Sequence, residues 1–111
     1  MGSESLAEFE LLVMLAALRL GPEQAYTVSI ADDIRRRTGR WVRRANVFTA
    51  LRRLEEKRLV ATRLGEPRTE RGGRPPRLVE VTPAGVETLK STTAAIQAMA
   101  AGLPGILGGA H

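Results

Sequence analysis

The side chains that most often perform catalysis are scarce in this chain. Cys is absent and the single His is the last residue, His111. No thiolate nucleophile, His-based triad or His- or Cys-ligated metal site can therefore be assembled. Glu55 and Glu56 are adjacent carboxylates, but neighbours on a helix diverge by about 100° and cannot share one proton. Gly65, Gly72 and Gly73 lack the Lys-Ser/Thr that completes a phosphate-cradling loop. No catalytic residue, metal or cofactor is expected, and an enzyme is the weakest functional class. Guanidinium is what the chain holds in quantity, with fifteen Arg against two Lys. Arg suits bidentate contact with phosphates and base edges.

The distribution of charge sharpens that point. The 111 residues carry a net +5, yet residues 1–34 hold one Arg against six carboxylates, a net of −5. Residues 35–77 hold fifteen bases against four acids, a net of +11, and the remainder sums to −1. A basic block between acidic flanks fits one face meeting a polyanion. Double-stranded nucleic acid is favoured over an anionic membrane, which would call for a basic amphipathic helix with bulky apolar anchors. Two aromatics in the block, Trp41 and Phe48, are few for single-strand stacking. The longest apolar run, residues 11–18, is far below the roughly 20 residues of a membrane span. No charged leader precedes it, so a cytoplasmic protein is expected.

The elements that must position these arginines follow from capping and periodicity. Ser5 and Glu8 have capping-box spacing, which predicts a first helix running to about Leu20, before Gly21-Pro22. Its apolar residues cover more than one face. Either a second chain buries the surplus or the domain encloses the helix centrally. A second helix over residues 27–37 has Thr27 as N-cap, an inward stripe of Val28, Ala31 and Ile34, and Gly39 beyond its end. Trp41 reads as a packing residue in the extended segment that follows. In a third helix, residues 44–57, Val47, Ala50, Leu51 and Leu54 share one side, with Thr49, Arg52, Arg53 and Glu56 opposite. Period-two patterning over 59–64 and 77–81 predicts a hairpin whose long loop is rich in Arg, Gly and Pro. Thr82-Pro83 is an N-cap followed by Pro at N1, opening a last helix to about Ala100.

Three helices, a two-stranded wing and a further helix describe an α+β, mainly α, winged helix-turn-helix. Residues 1–82 form the winged-helix unit, 83–101 a C-terminal dimerisation helix, and 102–111 a flexible Gly-rich tail. Several segments carry a family resemblance: Leu6-Ala7-Glu8-Phe9-Glu10, Ala25-Tyr26-Thr27-Val28-Ser29-Ile30, the run from Asn46 to Val60, Glu70-Arg71-Gly72-Gly73-Arg74-Pro75 and Leu78 to Gly85. Together they resemble the short form of the PadR family of bacterial transcriptional regulators over roughly residues 6–90. The resemblance implies a homodimeric repressor on a pseudo-palindromic operator. It also implies a space between protomers able to receive a small apolar or aromatic effector.

Arg43, Arg44, Asn46, Thr49, Arg52 and Arg53 are the candidate base and phosphate contacts of the third helix, against a solvated face in which Glu56 pairs with Arg52. Arg68, Arg71, Arg74 and Arg77 are the wing candidates, against a merely solubilising loop. Leu6, Phe9, Val13, Leu89, Ile96 and Met99 are the candidate dimer contacts. The chain departs from the family pattern in four places. Arg58 stands where Gly usually ends the third helix, Thr27 where Gly often follows the Tyr, Phe48 where Tyr is frequent, and Arg43 where a small capping residue is common. The rival functions are a sequence-indifferent DNA binder and a winged helix that docks on an acidic protein.

Overall fold

The computed structural model describes residues 6–67 and 72–107. In chain order the elements are α1 (Glu8–Leu20), α2 (Thr27–Thr38), α3 (Arg44–Glu56), β1 (Val60–Leu64), β2 (Arg77–Val81) and α4 (Pro83–Ala100). The two strands pair antiparallel from Val60 opposite Val81 to Leu64 opposite Arg77. This is the winged helix-turn-helix that the periodicities predict.

Two N-termini differ from the sequence expectation by one or two residues. Ser5 lies outside the described residues, and α1 starts from Ala7, whose backbone N–H donates to Glu10 Oε1 at 3.2 Å. Glu10, not Glu8, therefore closes the first turn. Tyr26 rather than Thr27 precedes α2, and Ser29 Oγ accepts from the Tyr26 N–H at 3.0 Å. Val28 is only half-buried, whereas Ile30, Ala31 and Ile34 are core.

Helix α1 is the centre of the domain. It packs on α2, α3, β2 and α4, and Leu11, Val13, Met14, Ala16 and Ala17 are all buried within the protomer. Its surplus of apolar residues is thus largely absorbed by its own fold. What it leaves at the surface is Leu18 at 46% exposure, with Leu6, Phe9, Leu12 and Leu15 half-buried. Of the candidate dimer contacts, Val13 and Leu89 sit in the protomer's own core, while Ile96 and Met99 stand exposed on α4. The first residues after α4 form turns, with the Leu103 N–H on the Ala100 carbonyl at 3.0 Å, and expose Leu103, Ile106 and Leu107.

The end of α3 is a Schellman turn built on a non-glycine residue. Leu59 N–H donates to Leu54 O and Arg58 N–H to Glu55 O, both at 2.9 Å. Arg58 occupies the left-handed position with φ 63°, where Gly is ordinarily favoured. Leu54 and Leu59, both buried, supply the apolar contact of the motif. From this turn the chain enters β1, and the Leu59 carbonyl accepts from the Thr82 N–H at 3.0 Å. Thr82 Oγ1 caps α4 by accepting from Gly85 N at 3.0 Å and donates to Arg58 O at 2.8 Å. Any Cβ on Gly85 would collide with the Leu59 carbonyl.

Two substitutions probe this joint in thermal melts. Gly85→Ala should destabilise by about 1–3 kcal/mol through overpacking against backbone that cannot yield. Arg58→Gly should stabilise by up to about 1 kcal/mol, relief of left-handed strain being partly offset by the looser unfolded chain.

Candidate nucleic-acid interface

Helix α3 turns Val47, Ala50, Leu51 and Leu54 into the core. By the helical period its opposite side, bearing Arg44, Asn46, Thr49, Arg52 and Arg53, then faces solvent, and all five are exposed. Arg43 precedes the helix in an extended conformation, gives no side-chain cap and is also exposed. No acidic residue lies in the first turn. Two cations therefore crowd the positive end of the helix dipole, an arrangement unfavourable in isolation and favourable beside an anion.

The arginines fall into two classes. Buried Asp33 gathers Arg36 at 2.9 Å, Arg37 at 3.1 Å and Arg19 at 3.8 Å. Arg40 donates to both Glu8 oxygens, at 3.0 and 2.8 Å, which holds the Glu8 carboxyl below its ordinary value. Arg63 reaches Glu23 at 3.2 Å, and Arg35 bonds Asp32 and the Val42 carbonyl. Among the described residues, by contrast, the side chains of Arg43, Arg44, Arg52 and Arg53 have no hydrogen-bond or ion-pair partner, and the anticipated Arg52–Glu56 pair does not form.

Two depressions flank α3 and make it a ridge. One, of about 350 Å³, lies between α2, α3 and the wing and brings Arg44, Phe48 and Arg52 together with Thr27, Thr62 and Arg77. The other, of about 380 Å³, lies beside the start of α1 and groups Asn46, Thr49 and Arg53 with Ala7 and Phe9. Five of the six helix candidates therefore divide between two flanks of one element, and Arg43 lines neither depression. The wing is fastened to this frame by the Val79 N–H on the Ala25 carbonyl at 2.9 Å. A second tie runs from Arg77 Nη1 to Thr62 Oγ1 at 3.2 Å, and from that hydroxyl to Glu55 Oε2 at 2.8 Å. Arg74 is exposed near the wing tip. Arg68 and Arg71 lie outside the described residues.

Two residues of this surface escape the sequence analysis. Phe48 is 54% exposed, although its place one turn from both Arg44 and Arg52 was a usable signal. Trp41, expected to pack, is 78% exposed. It lies in a turn without periodicity, where nothing local indicates the direction of a side chain. No cluster of His, Cys, Asp or Glu suited to a metal occurs among the described residues, and none of their helices is long and apolar enough to cross a membrane.

The two arginine classes should separate in thermal denaturation. Arg44→Ala and Arg52→Ala should stay within about 0.5 kcal/mol of the parent, as exposed side chains without partners do. Asp33→Ala, which removes the buried acceptor shared by two guanidinium hydrogen bonds, should cost about 1–3 kcal/mol.

No protein-family model matches the chain, and no curated protein does. Solved structures do match. A PadR family transcriptional regulator from Eggerthella lenta superposes with a TM-score of 0.65 at 23% identity, over 83% of this chain and 79% of that one. A PadR-like transcription factor from Bacteroides fragilis gives 0.66 at 23% identity, over 82% of each chain. A PadR-like transcriptional regulator from Bacillus cereus gives 0.62 at 16% identity, over 80% of this chain and 82% of that one. With four helices and a two-stranded antiparallel wing in the same arrangement, the chain has the winged-helix fold of the PadR-type transcriptional regulators.

Proposed function

We propose that this protein is a sequence-specific DNA-binding transcriptional regulator, a repressor that acts in the bacterial cytoplasm as a homodimer on a pseudo-palindromic operator. The observation that carries this is the division of the arginines. Acidic residues neutralise those that brace the fold, whereas Arg43, Arg44, Arg52 and Arg53 at the start and on the exposed side of α3 have no partner among the described residues. A strand of uncompensated guanidiniums beside a helix N-terminus is suited to phosphates and to guanine edges.

In this reading α3 enters the major groove. Asn46 and Thr49 offer short polar groups to base edges, Arg44 and Arg52 engage bases or the backbone on one flank, and Arg43 and Arg53 complete the positive field. Arg68, Arg71, Arg74 and Arg77 bring the wing to adjacent phosphates. Residues 1–82 are the DNA-binding unit. The exposed Ile96 and Met99 of α4, with Leu6 and Phe9 at the start of α1, belong to the dimer seam, and the space they enclose takes a small apolar or aromatic effector. Two α3 helices related by a twofold axis then reach major grooves about one helical turn, roughly 34 Å, apart.

Fluorescence anisotropy on duplex from upstream of the gene, at two salt concentrations with excess unrelated DNA, tests the proposal. Binding should survive competitor with two protomers per site, and log affinity should fall with log salt at a slope of about −5 to −9. Thr49→Ala and Arg44→Ala should cost about 1–3 kcal/mol on the preferred duplex and flatten sequence preference. Arg71→Ala and Arg74→Ala should weaken all duplexes alike. Binding that competitor abolishes would refute sequence-specific recognition.

A further inference from the structure

Trp41, the only tryptophan in the chain, is 78% exposed, although burying an indole is one of the larger apolar gains open to a small domain. Its surroundings nevertheless hold it in place. The Arg35 guanidinium covers one face of the ring, 5.0 Å from its centroid. That guanidinium is itself held at three points, by Nε and Nη2 on the Val42 carbonyl at 3.2 and 2.9 Å and by Nη1 on Asp32 at 3.1 Å. Val42, the next residue, is buried in the core. On the other side of Trp41, Arg40 is clamped to Glu8, and Gly39 turns the chain out of α2 with φ 75°. An aromatic side chain is thus oriented from both ends of a short turn while most of its surface remains in water.

Resting on the DNA-binding reading above, we infer that Trp41 is a preorganised apolar contact for the sugar–phosphate backbone beside the groove that α3 enters. Trp41 stands two residues before Arg43 and three before Arg44, in the segment that leads into the cationic start of α3. A nucleic-acid backbone matches both features, with phosphates for the guanidiniums and apolar deoxyribose faces for the ring. An apolar protein partner covering Trp41 would have to desolvate the Arg35 guanidinium stacked on it, which disfavours that occupant. Since Arg35 covers one face of the ring, less rotamer freedom is lost on binding than for an unsupported indole.

Emission from Trp41 is the only tryptophan signal of the protein, so the test needs no label. The full-length protein is titrated with duplexes it recovers from a random pool, following intrinsic fluorescence and anisotropy together. The emission should change and saturate at the same stoichiometry as the anisotropy. Trp41→Ala should weaken binding at least about tenfold, as one aromatic contact is lost in each protomer, and leave the salt slope unchanged because no ion pair is removed. Arg52→Ala, as a control, should reduce that slope by about two, one for each protomer. Trp41→Phe should recover part of the affinity. Unchanged emission at saturation with unchanged affinity of Trp41→Ala, on a duplex still bound against competitor, overturns the inference and leaves the DNA-binding reading standing. Unchanged emission with loss of the dimer in sedimentation of Trp41→Ala overturns it too, placing the indole at a subunit contact. Failure of the parent to recover any duplex overturns both.

Discussion

The joint around the Leu59 carbonyl orients every other surface of this protein. It accepts the Thr82 N–H, and Gly85 packs on it so closely that no side chain fits between. Thr82 Oγ1 closes the circle by donating to Arg58 O while it caps α4. The end of α3, the start of β1, the end of β2 and the beginning of α4 thereby meet within a few residues. Lys57, one residue before Arg58, adds the bond to buried Glu10 at 3.2 Å that binds α3 to the start of α1. A helix meant to stand in a groove beside a wing needs a fixed angle to that wing. Backbone hydrogen bonds around one carbonyl provide it more rigidly than side-chain packing alone. The left-handed Arg58 is tolerated because four interactions converge on the turn it makes.

Electrostatic sorting follows from that frame. The six carboxylates of residues 1–34 look like a simple counterweight to the basic block, but several have specific tasks. Asp33 draws three arginines to the α1–α2 side, and Glu8 and Asp32 restrain the turn that leads into α3. Arg44, Arg52 and Arg53, which those acids do not engage, lie on the exposed side of α3. The exposed pairs of Glu8 and Asp32 contribute little stability each. Their larger consequence is to settle which guanidiniums stay available and which surface the turn presents.

Helix α1 illustrates how a small domain handles apolar excess. With about one hundred residues to cover the core, nearly every face of a central helix is usable, and four elements take up its surface. The apolar groups left outside lie at its start, at Leu18 and along α4, where Ile96 and Met99 face solvent. The exposed side of α3 is thus mainly cationic and polar, that of α4 carries apolar side chains, and the start of α1 brings Phe9 to one flank of α3.

The sequence by itself determined the elements, their order and the core stripe of α3, because helix periodicity, caps such as Thr82-Pro83 and strand alternation act over a few residues. It also determined which residues of α3 face outward, once the core face was known. Arg58 was legible only as a departure from the usual Gly, with a left-handed residue or a different closure both open, and the hydrogen bonds of the Schellman turn decided for the left-handed one. Only the tertiary structure decided which arginines are engaged, as the partners of Arg40 and Arg63 lie about 30 or more residues away along the chain. It also decided that Val13 and Leu89 belong to the core and that α1 is enclosed. Trp41 was decided at the same level: a turn has no period from which to read a direction, and its outward pose depends on Arg35 reaching across to Val42. Contacts between distant segments are set by how the elements pack, and no local pattern encodes that.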